Sequence, residues 1–170
     1  KELVSLIQNN CEKHEKTIVF SQFVAMLQII EKRLKDLGIG CVLYHGSLAT
    51  STRDRLVERF KMKKEVSVFL ASLHCAAEGL NLTEANHICM YDLWWNPSIE
   101  QQAIARAYRL GQKKNVHVTR FIVKGTVEEK IVEIQNQKKL LYSAALGDSQ
   151  SKLKQRFEEE LISFFSIDPI

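Results

Sequence analysis

Short apolar runs alternating with stretches of helical period are what most constrain the fold of this chain of 170 residues. Thr17-Ile18-Val19-Phe20 is a compact run, β-branched at three positions, with charge before it and Ser21-Gln22 after it. It lacks the polar alternation of a half-exposed strand, so it reads as a strand buried on both faces, as in parallel sheets. Residues 23–37 then carry Met26, Leu27, Ile30, Leu34 and Leu37 on one helical face, and Gly38 and Gly40 end the helix. The unit recurs. Cys41-Val42-Leu43-Tyr44 reads as a strand, His45-Gly46-Ser47 as a polar turn, and residues 51–62 as a helix facing inward through Leu56, Val57 and Phe60. Residues 66–70 form a third strand, 71–82 a loop with a short helix, 87–91 a fourth strand, 98–109 a helix and 116–122 a fifth strand. Strands alternating with helices imply a three-layer α/β domain with a mainly parallel sheet and right-handed crossovers.

Helical patterns flank this core. Leu3, Val4, Leu6 and Ile7 make a short amphipathic helix ending in the polar run from Gln8 to Lys16. Thr126 with Glu129 three residues later resembles a capping box and opens a helix to about Ser143. After the break at Gly147-Asp148-Ser149, residues 152–165 carry an apolar stripe of Leu153, Phe157, Leu161 and Phe164. The expected division is therefore a lobe with a bracing helix over 1–146 and an amphipathic helix over 147–170, packing on the lobe or on a partner lobe. An apolar fraction of 45% with 26% charged residues excludes wholesale disorder. The net charge of +4 allows a polyanionic partner without requiring one. Cys11, Cys41, Cys75 and Cys89 form no CxxC pair, so free thiols are expected rather than zinc, and no metal site is expected. No apolar run approaches the length of a membrane span, so no membrane partner is expected. The chain starts without methionine and mid-pattern, which reads as a piece of a longer protein.

In an open parallel sheet, ligands bind outside the carboxyl ends of the strands. The polar clusters fall on that edge: Ser21-Gln22 after the first strand, His45-Gly46-Ser47 after the second, Ser72 after the third, and Asp92 with Trp94-Trp95-Asn96-Pro97 after the fourth. Such groups suit phosphate contacts through side chains and backbone N–H groups, although ordinary turns use the same residue types. Of the two tryptophans, one is expected to plug the core and the other to offer a wedge or stacking surface for nucleic acid.

The stretch Gln101–Gln112 sets Arg106 and Arg109 three residues apart on the expected helix, a fork for an anion or a solvated basic face. No GxxxxGK[ST] loop is present to cradle phosphates, and no acidic pair follows a strand to hold magnesium. Glu128-Glu129 and Glu158-Glu159-Glu160 read as solvated helix faces. A fork without its own cradle implies an arginine finger acting across an interface, worth about 10³–10⁵ in rate, or roughly 4–7 kcal/mol.

Together these motifs resemble a known family. Thr17–Gln22, His45-Gly46-Ser47, Ala71-Ser72 through Glu78-Gly79-Leu80-Asn81-Leu82, Tyr91–Pro97 and Gln101–Gln112 are similar to the second RecA-like lobe of the Swi/Snf-type DNA-dependent ATPases of helicase superfamily two. The likeness runs from about Thr17 to Glu133. The Trp-Trp-Asn-Pro form looks closest to the repair and postreplication translocases that often carry RING fingers elsewhere. The resemblance implies that Arg109 is the finger on the γ-phosphate and Arg106 its partner. It implies that Gln102, Glu78 and Gly79 line the nucleotide cleft, and that Ser21, Gln22, His45, Gly46, Ser47, Ser72, Asn81 and Trp95 grip DNA. ATP and Mg²⁺ would be held mainly by an N-terminal RecA-like lobe of the same protein. The partners would be that lobe and double-stranded DNA, with histones or repair proteins beyond them, in the nucleus; the isolated chain would be inactive.

The sequence departs from the family pattern where Ala76 and Ala77 replace glycines, Ala105 an acid and Tyr108 a histidine. Loss of the acid removes a charge partner for Arg106. A non-hydrolysing scaffold lobe is thus the competing reading from another class. An RNA helicase lobe shares the fold, but the Trp-Trp-Asn-Pro and Leu-Gly-Gln stretches argue against it.

Overall fold

Every strand run named above lies in one sheet, and every pairing in it is parallel. The computed structural model describes residues 1–77 and 79–145, with side chains as far as Lys138 except those of Ala76 and Ala77. The element order is α1 (Glu2–Glu12), β1 (Lys16–Ser21), α2 (Val24–Asp36), β2 (Gly40–Tyr44), α3 (Thr50–Met62), β3 (Val66–Ser72), a 3₁₀ turn (Leu73–Ala77), β4 (Ala85–Met90), α4 (Pro97–Ile104), β5 (His117–Arg120) and α5 (Val127–Ala145). The strands lie in the order β2-β3-β1-β4-β5. β1 pairs with β3 and β4, β3 with β2, and β4 with β5. This is the three-layer α/β architecture expected. The amphipathic helix expected over 147–170 lies outside the described residues.

Two apolar clusters fill the faces of the sheet. On one face Leu3 and Ile7 of α1 and Leu27, Ile30 and Leu34 of α2 close on Val19, Val68, Leu70 and Cys89. On the other, Phe60 of α3, Leu73 and Cys75 of the 3₁₀ turn and Ala103 of α4 close on Ile18, Phe20, Phe69, Ile88 and Met90, with Ile131 and Val132 of α5 against them. Phe60 and Phe69 are fully buried, with ring centroids 5.1 Å apart. β1, β3 and β4 hold almost wholly buried residues, as two-sided coverage requires. Burial pushes the thiols of Cys41 and Cys89 up to about 11 and about 12 respectively.

The crossovers create one discontinuity. The chain leaving β1 crosses the α1–α2 face, whereas the chains leaving β2, β3 and β4 run back along the other. Neighbouring strands β1 and β4 therefore send their loops to opposite sides, which is the topological switch point of an open sheet.

Several expectations are corrected. The first helix does not stop at the polar run but continues to Glu12, because Asn10 turns inward and donates from Nδ2 to Thr17 Oγ1 at 3.0 Å. Gly38, at φ 71, ends α2, but Gly40 opens β2; a Cβ there would lie 1.8 Å from the Glu65 carbonyl oxygen. The fifth strand covers only His117–Arg120, since its partner ends at Met90, opposite Arg120. At α5, Glu129 bonds the Gly125 N–H at 3.1 Å rather than that of Thr126, and Glu128 accepts from Val123 N–H at 2.6 Å. That acidic pair closes the entry to the helix from a solvated face, with Glu129 exposed as expected.

Candidate functional site

Because all strands are parallel, the loops after them gather on one edge. At the switch point the β1 and β4 loops would part and leave a crevice, but Asp92 fills it. Ser21 Oγ donates to Asp92 Oδ2, Gln22 N–H donates to Oδ1 at 2.9 Å, and the Gln22 side chain donates to the Leu93 carbonyl at 3.3 Å. Burial pushes the Asp92 carboxyl above its ordinary range, opposed by the hydrogen bonds from Ser21 and Gln22. Ser21 is 0% exposed, and its register partner Ser72 is buried too. These two hydroxyls support the edge from inside. Gln22 is half-buried, and His45, Gly46 and Ser47 reach the surface, with His45 Nδ1 2.7 Å from Ser47 Oγ.

The two tryptophans differ in burial. Trp94 packs against the core and meets the His74 ring edge-on at a centroid distance of 5.4 Å. Trp95 is 41% exposed, with Lys138 Nζ of α5 4.0 Å from its ring centroid. Burial lowers the Lys138 ammonium below its ordinary range. Asn96 caps α4 through its side chain, which accepts from Ser98 N–H at 3.2 Å, and Pro97 occupies the first turn.

The arginine stretch differs from expectation. The helix ends at Ile104, so Arg106 and Arg109 stand on the turn that follows. Arg106 N–H bonds back to Ala103 and Ala107 N–H to Ile104, both at 3.1 Å and both spanning three residues, which tightens the chain out of the α-helix. The Arg106 carbonyl is taken by Leu82 N–H at 3.0 Å. Gln112 completes the fastening, its Nε2 donating to Thr83 O at 3.0 Å and Ala85 O at 2.7 Å. Residues 82–85 lead into β4, so the arginine turn lies towards the amino ends of the strands, not on their carboxyl edge. Arg109, Tyr108 and Leu110 are exposed, Leu110 completely. Arg106 is half-buried, and its Nε lacks a hydrogen-bond partner. Among the described residues, no carboxylate pairs with either arginine.

Gln102 is exposed on α4. Gly79 and Asn81 are exposed on the segment that returns along α3, where they line an open groove of ≈ 450 Å³ with Asp54, Val57, Glu58, Lys61, Met62 and Leu80. Glu78 lies outside the described residues. Among the described residues, no group of three or more His, Cys, Asp or Glu side chains is arranged to hold a metal ion, and no helix is long and apolar enough to cross a membrane.

Sequence reasoning passed over Glu100. It is 1% exposed, yet lies on the same stripe of α4 as buried Pro97 and Ala103. Its Oε1 accepts from Trp94 N–H at 3.2 Å and Gln135 Nε2 at 2.6 Å, and its Oε2 accepts from Arg120 Nε at 3.1 Å. The signal was available: a carboxylate three residues from each of two apolar positions needs partners.

Residues 1–111 match the helicase conserved C-terminal domain family. The chain is 43% identical over 133 residues to the helicase-like transcription factor CHR27 of Arabidopsis thaliana, covering 78% of this chain and 13% of that protein. It is 42% identical over 154 residues to the DNA repair protein RAD5 of Cryptococcus neoformans, covering 90% of this chain and 13% of that protein. Among solved structures, the C-terminal part of the Fun30 ATPase domain superposes with a TM-score of 0.76 at 33% identity, covering 79% of this chain and 43% of that one. The SWI2/SNF2 ATPase core domain of Sulfolobus solfataricus gives 0.70 at 28% identity, covering 98% and 34%.

Proposed function

The chain belongs to the helicase conserved C-terminal domain family, in its SWI2/SNF2-type form, and on that premise we propose that it is the second motor lobe of an ATP-driven translocase on double-stranded DNA. The chain spans about an eighth of the curated relatives it matches, 13% in both cases above. The whole protein would work in DNA repair or chromatin remodelling in the nucleus, where histones or repair proteins are its further partners. An N-terminal RecA-like lobe outside this chain holds ATP and Mg²⁺ in the main, and the isolated chain does not turn ATP over.

The observation that carries this reading is the state of the arginine turn. Two guanidinium groups stand on a braced turn without a paired carboxylate among the described residues, and Arg106 Nε has an unspent donor. Guanidinium groups so placed suit phosphate oxygens presented from a neighbouring lobe. Arg109 is the finger on the γ-phosphate, where it offsets charge on the transferring group, and Arg106 is its partner. By the family resemblance, Gln102, Glu78 and Gly79 would line the nucleotide cleft. The carboxyl edge is a separate face that meets the DNA backbone through Gln22, His45, Gly46, Ser47 and Trp95, with Ser21 and Ser72 supporting it from inside; Asn81, in the groove beside α3, would add a contact away from that edge. Backbone contacts carry no base sequence, so movement along DNA is sequence-independent and weakens with salt. Lobes opening and closing on a hinge with each hydrolysis would supply the ratchet.

The test uses full-length protein. Arg109→Ala should lower DNA-stimulated ATP turnover by about 10³-fold or more at unchanged melting temperature. Turnover that survives the substitution removes Arg109 from the reaction.

A further inference from the structure

We infer that Glu100 is a positioning residue that couples the DNA-facing Trp94–Asn96 loop to the arginine turn, an inference that rests on the motor-lobe reading above. One buried carboxylate ties together the loop after β4, the helix α4, the strand β5 and the helix α5. Trp94 is held on both sides of its residue: its N–H donates to Glu100 at 3.2 Å, and its carbonyl accepts from Gln135 Nε2 at 2.6 Å. The same Gln135 Nε2 donates to Glu100, and Arg120 Nε of β5 completes the set. The Trp95 ring, next along the chain, is the exposed part of that loop.

Packing alone does not call for a carboxylate at this point. α4 presents Pro97 and Ala103 to the core on the same stripe as Glu100. An apolar side chain there would hold the helix at least as well, because a buried ion pair rarely outweighs its desolvation cost. What the carboxylate adds is direction. Its bonds fix a backbone N–H of the loop to a particular turn of the helix, so loop and helix move as one. With eight residues, α4 is a rod of about 12 Å at 1.5 Å per residue. A displacement of its first turn therefore reaches the arginine turn at its far end, whose backbone and Gln112 side chain bond to residues 82–85. DNA pressing on Trp95 thus moves the arginines through Trp94, Glu100 and α4, a contiguous chain of hydrogen bonds and one rigid element.

The experiment measures ATP turnover of the full-length protein against DNA concentration. It yields a basal rate, a stimulated maximum and a half-saturating DNA concentration. Glu100→Gln keeps the shape of the side chain but leaves one oxygen for three donors and turns an amide towards one of them. The stimulated maximum should fall ~10-fold, inside the 5–150-fold span of site-to-site coupling. Basal rate and half-saturating DNA should stay within about twofold. A stimulated-to-basal ratio equal to that of the parent protein overturns the inference, even if the melting temperature falls, since a plain structural staple would lower stability without changing DNA dependence. A parallel loss in basal and stimulated rates overturns it as well. If Glu100→Gln does not fold, Arg120→Gln decides the matter: it removes one tie and leaves the other two. A smaller loss of the ratio supports the inference, and an unchanged ratio overturns it. Arg109→Ala run beside these variants separates the two claims. If the parent protein shows no DNA-stimulated turnover, the motor-lobe reading fails; if Arg109→Ala abolishes turnover while Glu100→Gln keeps its ratio, only the coupling role fails.

Discussion

The two ends of α4 are finished in opposite ways. At the start, side chains are paired with one another: Asn96 caps the helix, Glu100 and Gln135 hold Trp94, and Asp92 binds the loop after β1. At the end, the backbone is anchored by the Arg106 carbonyl and by Gln112, while Arg109, Tyr108 and Leu110 project outward. The first pattern is that of a part whose shape is complete in this chain. The second is that of a part whose backbone is set in advance and whose side chains stand exposed, as the proposed contact with a neighbouring lobe requires. Substitutions at the start should therefore damage the fold, and those at the end should spare it.

The largest effect on folding is expected from Glu100→Ala, which strands Arg120 Nε and Trp94 N–H together and takes one of two acceptors from Gln135 Nε2. Breaking a buried charged set from one side should cost on the order of 3 kcal/mol, read as a lower urea midpoint for the chain. A loss below about 0.5 kcal/mol, the size of an ordinary surface change, would erase the contrast. Gln112→Ala tests the anchored backbone at the far end. Removing its bonds to Thr83 O and Ala85 O should cost about 1 kcal/mol, with amide exchange faster in the arginine turn than in β1. Tyr108→Ser and Leu110→Ser should each stay within about 0.5 kcal/mol of the parent, and a larger loss would mean that these side chains already have a partner within the fold.

The amino edge of the sheet offers a further control. Glu15 accepts from Asn86 Nδ2 at 2.9 Å, lies 2.6 Å from His87 Nε2, and has Lys114 Nζ at 3.5 Å. The His87 hydrogen bond, against opposition from desolvation, holds the Glu15 carboxyl down at about 2, below its ordinary 4.5. A carboxyl depressed on folding adds stability above its unfolded value, and that stability disappears as pH falls from about 4.5 through about 2. The difference in urea midpoint between the parent and Glu15→Gln should accordingly be present at pH 6 and shrink at pH 3. A gap that does not change with pH would assign the effect to packing instead.

How much of this was legible in the sequence depends on where the deciding partner lay. β1, β3 and β4 were legible because strands covered on both faces must be apolar throughout, and that pattern is local. The capped start of α4 was legible from Asn96-Pro97 for the same reason. The end of α4 was not, because the next stop signal along the chain is Gly111, and the helix closes seven residues earlier against Leu82, a partner distant in sequence. The end of β5 depends likewise on the length of β4. Placing the arginine turn away from the carboxyl edge required knowing that the 82–85 turn precedes β4 and receives both moorings. The polar residues of the edge were found as a set, but Ser21 and Ser72 could not be told from Ser47 by type alone: burial separates them, and burial is a property of the assembled sheet.

The Asp92 knot across the switch point has a consequence for mass action. In many open sheets that crevice admits a small ligand, and a ligand bound only by the folded form stabilises it by about 2.7 kcal/mol when present at a hundred times its dissociation constant. Here the protein's own carboxylate, hydroxyl and amide take up the crevice. These groups satisfy one another, so that point of the edge needs no small ligand to complete its hydrogen bonds. The stability gained at the crevice is therefore independent of the concentration of any ligand, because both sides of each bond belong to one chain.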